Sequence, residues 1–269
     1  MNSHLVWNVD RVLLHIYGPF SLRWYSLCFV AGILLGNYMF LTMVKREGQS
    51  IRLTETLLYY IVIGTVVGAR LGHCLFYAPL EYLQEPWRIF QIWEGGLASH
   101  GGYLGVIIAM YLFSKKFKAM SFPWVADRLS MCSILAGACI RLGNFFNSEI
   151  IGKVSDVPWA MIFRQVDEQP RHPSQLYEAF GYLSISLFLY FLYRKTNLSK
   201  QPGRLFGWSL GIAFAFRFFV EMFKENQEVF ENSLLFNMGQ LLSLPFVLIG
   251  LALGMGWLQK WTRVFQKAQ

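Results

Sequence analysis

The sequence predicts an all-α, polytopic membrane protein with seven transmembrane helices. Of its 269 residues, 55% are hydrophobic and only 15% are charged, whereas a soluble domain usually carries about 25% charged residues. The apolar residues fall into runs close to the roughly 20 residues that a helix needs to cross a bilayer. Helices are required there because lipid offers no partner to an unpaired backbone N–H or C=O group.

Seven apolar runs mark the predicted spans. They are residues 22–44, 54–78, 97–113, 123–146, 175–193, 203–223 and 237–258. The first run is too long, and starts too late, to be the hydrophobic region of a cleaved signal peptide, so we expect it to stay in place. Neither an internal repeat nor a low-complexity linker divides the chain, which predicts one integral membrane domain over residues 1–269.

Lysines and arginines concentrate in alternate connections between these runs. They lie after the first, third, fifth and seventh spans, whereas the other connections are richer in acidic residues. Because cytoplasmic loops carry the excess of basic residues, the N-terminus is predicted outside and the C-terminus in the cytoplasm. The formal net charge of +8 is therefore assigned to loops facing anionic lipid, and nucleic acid is not expected as a partner.

Two segments are neither spans nor simple turns. Residues 1–21 mix apolar side chains with Asp10 and Arg11, and we expect them to lie along the outer membrane surface. Residues 147–174 are long for a connection and contain three prolines. Long ordered connections usually carry function, so this segment is predicted to be a small extracytoplasmic element.

Polar side chains gather at the outer ends of five of the predicted helices. They are Tyr25, Arg70, His100, Arg141, Arg217 and Glu221. Arginines near helix ends often only reach the interface, but ionisable groups within a membrane are costly and usually functional. Guanidinium forks suit phosphate or carboxylate, and the start of the third helix adds free N–H groups. An anion such as a phospholipid head group is therefore predicted at the outer leaflet.

The glycines around His100 allow two interpretations. Gly95, Gly96, Gly101, Gly102 and Gly105 form either a flexible phosphate loop or a helix-packing surface. The four-residue spacing of Gly101 and Gly105 is typical of close helix packing. We favour packing for Gly105, and backbone access to a ligand for Gly101 and Gly102.

The most specific feature is the stretch RLGNFFNSEIIG at residues 141–152. It resembles the GRxGNFxNxExxG signature of bacterial prolipoprotein diacylglyceryl transferases. Further matches follow in the order of that family, and the resemblance covers nearly the whole chain. They are RWY at 23–25, GARLG at 68–72, GG at 95–96, SHGG at 99–102, HPSQLYE at 172–178 and RFFVE at 217–221.

The resemblance implies a reaction in the bacterial cytoplasmic (inner) membrane. The diacylglyceryl group of phosphatidylglycerol would pass to the lipobox cysteine of a prolipoprotein signal peptide, as the first step of lipoprotein maturation. A thioether would form and glycerol phosphate would leave, without a metal or a soluble cofactor.

Roles for the site residues follow from this reaction. Arg141 and Arg217 would hold the phosphate, with Glu221 orienting Arg217. His100 is the candidate general base, or alternatively a head-group ligand. Tyr25 and Asn144 would add hydrogen bonds, and Glu149 would position the Arg141 loop or help the proton leave. The expected lipid site is completed by Arg70, Gly101, Gly102 and Gly152.

Two other functional classes fit the sequence less well. Intramembrane arginines and a glycine-rich helix start suit an anion transporter, but the charges lie at one face rather than at the midplane, and no repeat is present. An intramembrane protease is less favoured because neither HExxH nor GxSxG occurs. An aspartate pair would leave less trace, but Asp127 is expected at the cytoplasmic end without a membrane partner.

Overall fold

The computed structural model describes residues 4–17, 20–225 and 235–257, and most of them are helical. The α-helices are α1 (Trp24–Arg46), α2 (Ile51–Phe76), α3 (Pro79–Gln84), α4 (Ser99–Lys116), α5 (Phe122–Phe146), α6 (Ser174–Lys195), α7 (Arg204–Val220) and α8 (Met238–Gly254). Their contacts divide the described residues into two compact units. The first unit comprises residues 4–40 and 127–257, and the second comprises residues 41–126.

Five helical segments among the described residues are long and apolar enough to cross a membrane. They are Trp24–Arg46, Ile51–Phe76, Phe122–Phe146, Ser174–Lys195 and Arg204–Phe223. The chain is therefore a mostly helical, multi-pass membrane protein. Helices also occupy the third and seventh predicted spans, as α4 and α8, but neither is among these five. The count of seven spans and the orientation of the termini stay predictions.

The all-α prediction was incomplete, because short strands form at the two segments that were not assigned to spans. Strand β1 (Leu5–Trp7) pairs in parallel with β4 (Met161–Phe163), which pairs antiparallel with β5 (Pro170–Arg171). Strands β2 (Val12–Tyr17) and β3 (Phe20–Arg23) form an antiparallel hairpin. Strand pairing satisfies backbone groups over a few residues, which is too short a length for a stable helix.

A small apolar cluster holds the first of these sheets in place. Phe145 at the end of α5 packs with Met161 and Phe163 of β4, and Trp7 of β1 packs against them. The ring centroids of Trp7 and Phe145 are 4.2 Å apart. Residues 147–174 therefore form an ordered element anchored to the end of α5.

In the second unit, α2 and α4 approach each other through glycines. A Cβ on Gly105 would overlap the backbone of Gly64, and a Cβ on Gly101 would overlap the backbone of Gly68. The packing role predicted for Gly105 is confirmed. Gly101 also packs against α2 and lines the apolar cavity of α2 and α4, so the access of its backbone to a ligand stays a prediction. Gly102 differs, since the nearest atom to its Cβ position is 3.6 Å away.

Asp127 in α5 caps the start of α7. Its carboxylate is fully buried and accepts hydrogen bonds from the backbone N–H of Gly203 at 2.9 Å and of Phe206 at 2.7 Å. These are N–H groups at a helix start, which have no partner inside the helix itself. Asp127 thereby fixes the start of the helix that carries Arg217.

Candidate active site

Five charged side chains form a continuous chain of ion pairs in the first unit, with signs that alternate. The Nε of Arg141 lies 3.0 Å from Glu178 Oε2, and the Nζ of Lys224 lies 2.8 Å from Glu178 Oε1. The same Nζ lies 3.0 Å from Glu221 Oε1, which is 3.4 Å from the Nε of Arg217. We call these five residues the charge chain. Three cations and two carboxylates give it a net charge of +1.

The two ends of the charge chain differ from its middle. Glu178, Lys224 and Glu221 are buried, whereas the side chains of Arg141 and Arg217 are 18% and 38% exposed. Each arginine meets its carboxylate through Nε, so the two terminal NH2 groups of each fork extend beyond the pair. Both arginine contacts are ion pairs without hydrogen-bond geometry, since the buried Nε of Arg217 and both carboxylate oxygens of Glu178 have no hydrogen-bond partner among the described residues.

The chain turns back directly after the end of α5, the helix that carries Arg141. Ser148 and Ile150 adopt φ values of 54° and 55°, a conformation that costs side chains other than glycine energy and often occurs at functional sites. The turn brings Glu149 to Asn144, whose Nδ2 donates to Glu149 Oε2 at 3.2 Å. Asn144 Oδ1 in turn lies 3.4 Å from Nη1 of Arg141. Glu149 is thus placed to support Arg141 through Asn144.

Gly152 lies where three chain segments meet, which gives it a packing role. A Cβ there would overlap His172 and would lie 2.8 Å from the carbonyl oxygen of Phe223. Its N–H donates to His172 O at 3.1 Å, and its C=O accepts from Arg171 Nη1 at 3.3 Å. Gly152 also forms a β-bridge with Lys224. Both backbone groups of Gly152 are engaged in hydrogen bonds, so the residue positions the chain around Lys224. This geometry does not favour Gly152 as a direct lipid ligand.

Tyr25 begins α1 against the glycine of the signature stretch. A Cβ on Gly143 would lie 2.9 Å from the Tyr25 ring, so the tyrosine packs beside the last turns of α5. The side chain is half-buried. Gly143 follows Arg141 by two residues, a spacing that puts them on different faces of α5, so the hydrogen-bonding role of Tyr25 stays a prediction.

Arg70 has a different environment from the one expected. It is buried, and its N–H donors bind backbone carbonyls of a short connecting segment. They are those of Ile89 at 2.9 Å, Gly95 at 2.6 Å, Gly96 at 3.2 Å, Gln91 at 3.1 Å, and Arg88. A guanidinium has five N–H donors, so none remains for a phosphate. The expected role of Arg70 as a lipid ligand does not fit this geometry.

His100 lies in the second unit, in the first turn of α4. Its exposed ring contacts Phe76 and Tyr77, with centroid distances of 5.6 and 5.8 Å. It borders an apolar cavity of about 710 Å³ lined by α2 and α4. Gly102 is buried beside it, and its N–H donates to Ala98 O at 3.0 Å. The N–H of Gly102 is therefore occupied.

Two members of the charge chain, Glu178 and Lys224, were not predicted from the sequence. Glu178 ends the HPSQLYE stretch but had no assigned role, and Lys224 was not singled out. Lys224 looks like an ordinary interfacial lysine because it follows a predicted span. An available signal was its i+3 spacing from Glu221, which places two opposite charges one helical turn apart. The pairing of Lys224 with Glu178, 46 residues away, has no local signature.

This arrangement suits binding of an oxyanion by electrostatic stabilisation, rather than nucleophilic attack on it. Buried carboxylates fix the two guanidinium groups, so little reorganisation is required when an anion binds. A site with fixed arginines and a net positive charge favours phosphate over neutral ligands.

Comparison with known proteins agrees with this chemistry. A family model described as prolipoprotein diacylglyceryl transferase matches residues 11–255. A phosphatidylglycerol–prolipoprotein diacylglyceryl transferase of Tolumonas auensis is 48% identical, over 93% of this chain and 96% of its own length. The protein of the same name from Chloroherpeton thalassium is 43% identical, over 94% of each chain. The chain belongs to the prolipoprotein diacylglyceryl transferase family.

Proposed function

We propose that this protein transfers the diacylglyceryl group of phosphatidylglycerol to the lipobox cysteine of a prolipoprotein signal peptide. The thiol sulfur forms a bond to the diacylglyceryl carbon, and the bond from that carbon to the phosphate oxygen breaks. The electron pair stays with the phosphate, so glycerol phosphate leaves and the thiol proton passes to a base. The product is a thioether, and the reaction is the first step of lipoprotein maturation.

The charge chain is the observation that carries this proposal. A phosphate ester becomes a good leaving group when its developing charge is held by fixed donors. Arg141 and Arg217 supply such donors at the two ends of one chain, and Glu178 and Glu221 orient them. Asn144 and Tyr25 add hydrogen bonds next to Arg141.

The acceptor thiol must also lose its proton, because the thiolate is the nucleophile and a free cysteine has a pKa near 8.5. His100 is the proposed general base, since a neutral imidazole near pH 7 accepts a proton readily. Its place at the apolar cavity along α2 and α4 supports a role close to the lipid. The alternative role for His100 is binding of the head group.

The proposed setting is the bacterial cytoplasmic membrane, with the site at the outer leaflet. The distribution of basic residues in the connections supports this orientation. Phosphatidylglycerol is present in the same bilayer, so the lipid substrate can reach the protein without leaving the membrane.

The direct test uses the purified protein, vesicles containing phosphatidylglycerol and a lipobox peptide, with thioether formation followed by mass spectrometry. Arg141→Ala should lower the rate about a hundred-fold or more, as expected for a lost oxyanion donor. Arg141→Lys should also be poor, because an ammonium cannot form the fork. Arg164→Gln is the matched control, since Arg164 is exposed and, within the described part of the chain, forms its ion pair with the neighbouring Glu168. An active Arg141→Ala protein would exclude the phosphate clamp, and absence of product from the unaltered protein would exclude the transfer.

A further inference from the structure

Residues 79–97 of the second unit connect α2 to α4 and present large apolar side chains outward. The segment consists of α3 and two short 3-10 helices, Pro86–Phe90 and Ile92–Glu94. Five of its apolar side chains are 60–79% exposed, namely Leu80, Leu83, Trp87, Phe90 and Trp93. Several large exposed apolar side chains on one short segment indicate an interaction surface.

The exposed surface continues into the membrane-spanning helix that precedes it. Phe76 ends α2 with 74% of its surface exposed, and Tyr77 follows with 66%. Because α2 is apolar enough to cross the bilayer, the segment begins at the membrane interface. Tryptophan is enriched at that depth, where its ring meets both acyl chains and head groups.

The segment contains one cation, Arg88, and three carboxylates, Glu81, Glu85 and Glu94. Arg88 forms a salt bridge with Glu81, and its Nε lies 3.9 Å from Glu85 Oε2. With more carboxylates than cations, the segment offers little electrostatic attraction to a lipid phosphate group. The apolar and aromatic side chains then dominate what the surface binds.

The side chain of Arg70 in α2 fixes the position of this segment by hydrogen bonds. Its guanidinium binds five carbonyl groups between Arg88 and Gly96. Directly after the segment, the N–H of Ala98 donates a further hydrogen bond to the carbonyl oxygen of Ala69 in α2 at 2.9 Å. Carbonyls at the ends of short helices have no partner in the helix, so one buried side chain of α2 satisfies most of those in this segment.

We propose that residues 79–97 are a membrane-surface docking element whose occupant is bilayer phospholipid, and that Arg70 is the residue that holds it in place. Lipid is favoured over a peptide or a second copy of the chain because the apolar surface runs on from a membrane-spanning helix. The docking element leads directly into the first turn of α4, so its depth in the bilayer fixes the depth of that turn.

Photo-crosslinking tests the occupant with the full chain in vesicles of phosphatidylcholine and phosphatidylglycerol. Phe90→benzoylphenylalanine should yield a mass increase of one phospholipid after illumination. Phe188→benzoylphenylalanine is the reference, because Phe188 is exposed within the membrane-spanning α6. A lipid adduct at position 90 below a tenth of that at position 188 would overturn the proposal. A chain-to-chain adduct as the main product would also overturn it, by assigning the surface to a second copy.

The role of Arg70 is tested in the same experiment. Arg70→Gln and Arg70→Lys remove two or more of the five donors, so the lipid adduct at position 90 should fall several-fold. Arg164→Gln should leave the adduct unchanged. If Arg70→Gln does not fold, a folded Arg70→Lys decides, and an unchanged adduct there would exclude the holding role. The crosslink with Arg70 intact stands independently of either variant.

A kinetic measurement links the docking element to catalysis, and only this part rests on the proposed function. Arg70→Lys should raise the KM for phosphatidylglycerol in vesicles by more than it lowers kcat, because presentation of lipid is affected before the chemical step. A lower kcat with an unchanged KM would contradict this expectation. Missing transfer activity in the unaltered protein would overturn the proposed function, whereas a missing lipid adduct would overturn the docking element alone.

Discussion

At the scale of single residues, Lys224 joins two arginine–glutamate pairs into one charge chain. Without its ammonium, Glu178 and Glu221 would each keep one arginine, but both carboxylates are buried. Removing one partner from a buried ion pair usually costs about 3–5 kcal/mol, because the remaining charge is poorly solvated. The lysine is therefore expected to matter for stability as well as for the net positive charge of the site.

Lys224→Met should lower the melting temperature and weaken transfer, whereas Lys224→Arg should retain most of both because it keeps the charge. Thermal unfolding in detergent and the vesicle assay measure the two effects. Wild-type stability and activity in Lys224→Met would show that the charge chain does not need its middle cation.

The proposed base is tested by the pH profile of the reaction. His100→Gln should slow transfer and change the dependence of the rate on pH, because the imidazole that accepts the thiol proton is lost. His15→Gln is the matched control, because His15 is an exposed histidine in β2. If His100→Gln keeps the normal rate with an unchanged pH profile, His100 is not the base.

Outside the spans, Asp167 and Arg171 tie residues 147–174 together. Arg171 Nε donates to Asp167 Oδ2 at 2.9 Å, and Arg171 Nη1 donates to Glu225 Oε2 at 3.0 Å. The hydrogen bonds from Arg171 hold the pKa of the Asp167 carboxyl below its ordinary value of 3.8. A carboxyl with a lowered pKa in the folded state stabilises the fold above its unfolded-state pKa, and this contribution is lost as pH falls through the folded-state pKa.

Asp167→Asn should therefore be less stable than the unaltered protein at neutral pH, with the difference shrinking as pH falls below about 4. Thermal unfolding from pH 7 down to pH 3 measures it. A stability difference that stays constant over this range would show that the charge of Asp167 contributes nothing.

At the scale of elements, the packing of α2 on α4 gives the neighbouring glycines Gly101 and Gly102 different surroundings. The Cβ of Gly101→Ala would overlap the backbone of Gly68, whereas that of Gly102→Ala would meet its nearest atom at 3.6 Å. Backbone overlap cannot be relieved without moving a helix. We expect Gly101→Ala to destabilise the protein and Gly102→Ala to leave its stability nearly unchanged.

The pair is measured by thermal unfolding and by the transfer assay. A stable but inactive Gly102→Ala protein would support contact between lipid and the backbone near position 102. Equal melting temperatures for the two variants would contradict the packing geometry of α2 and α4.

At the scale of the whole molecule, the predicted orientation depends on the positive-inside rule and can be measured directly. Reporter enzymes fused after Lys115 and within residues 147–174 should report the cytoplasm and the exterior, respectively. A fusion after Lys200 serves as a second cytoplasmic marker, since it lies in another basic connection. An extracytoplasmic reporter at Lys115 would invert the orientation and move the proposed site to the other leaflet.

The sequence by itself determined the membrane class, the positions of the main helices and the family. These depend on local properties, because a long apolar run can cross a bilayer only as a helix and a signature stretch is contiguous. The helix ends differ from the predicted spans by only a few residues for most elements, as with 22–44 and Trp24–Arg46. Arg141, Arg217 and Glu221 were predicted as site residues from their positions at helix ends, and the structure includes them in the charge chain.

Only the tertiary structure decided what each polar group contacts. It assigned Glu178 and Lys224 to the charge chain, turned Arg70 from a lipid ligand into the support of residues 88–96, and gave Gly101 and Gly152 packing roles. It also paired β1 with β4, which lie more than 150 residues apart. Such contacts join residues distant in sequence, and the partner of a buried charge is set by the packing of whole helices rather than by neighbouring residues.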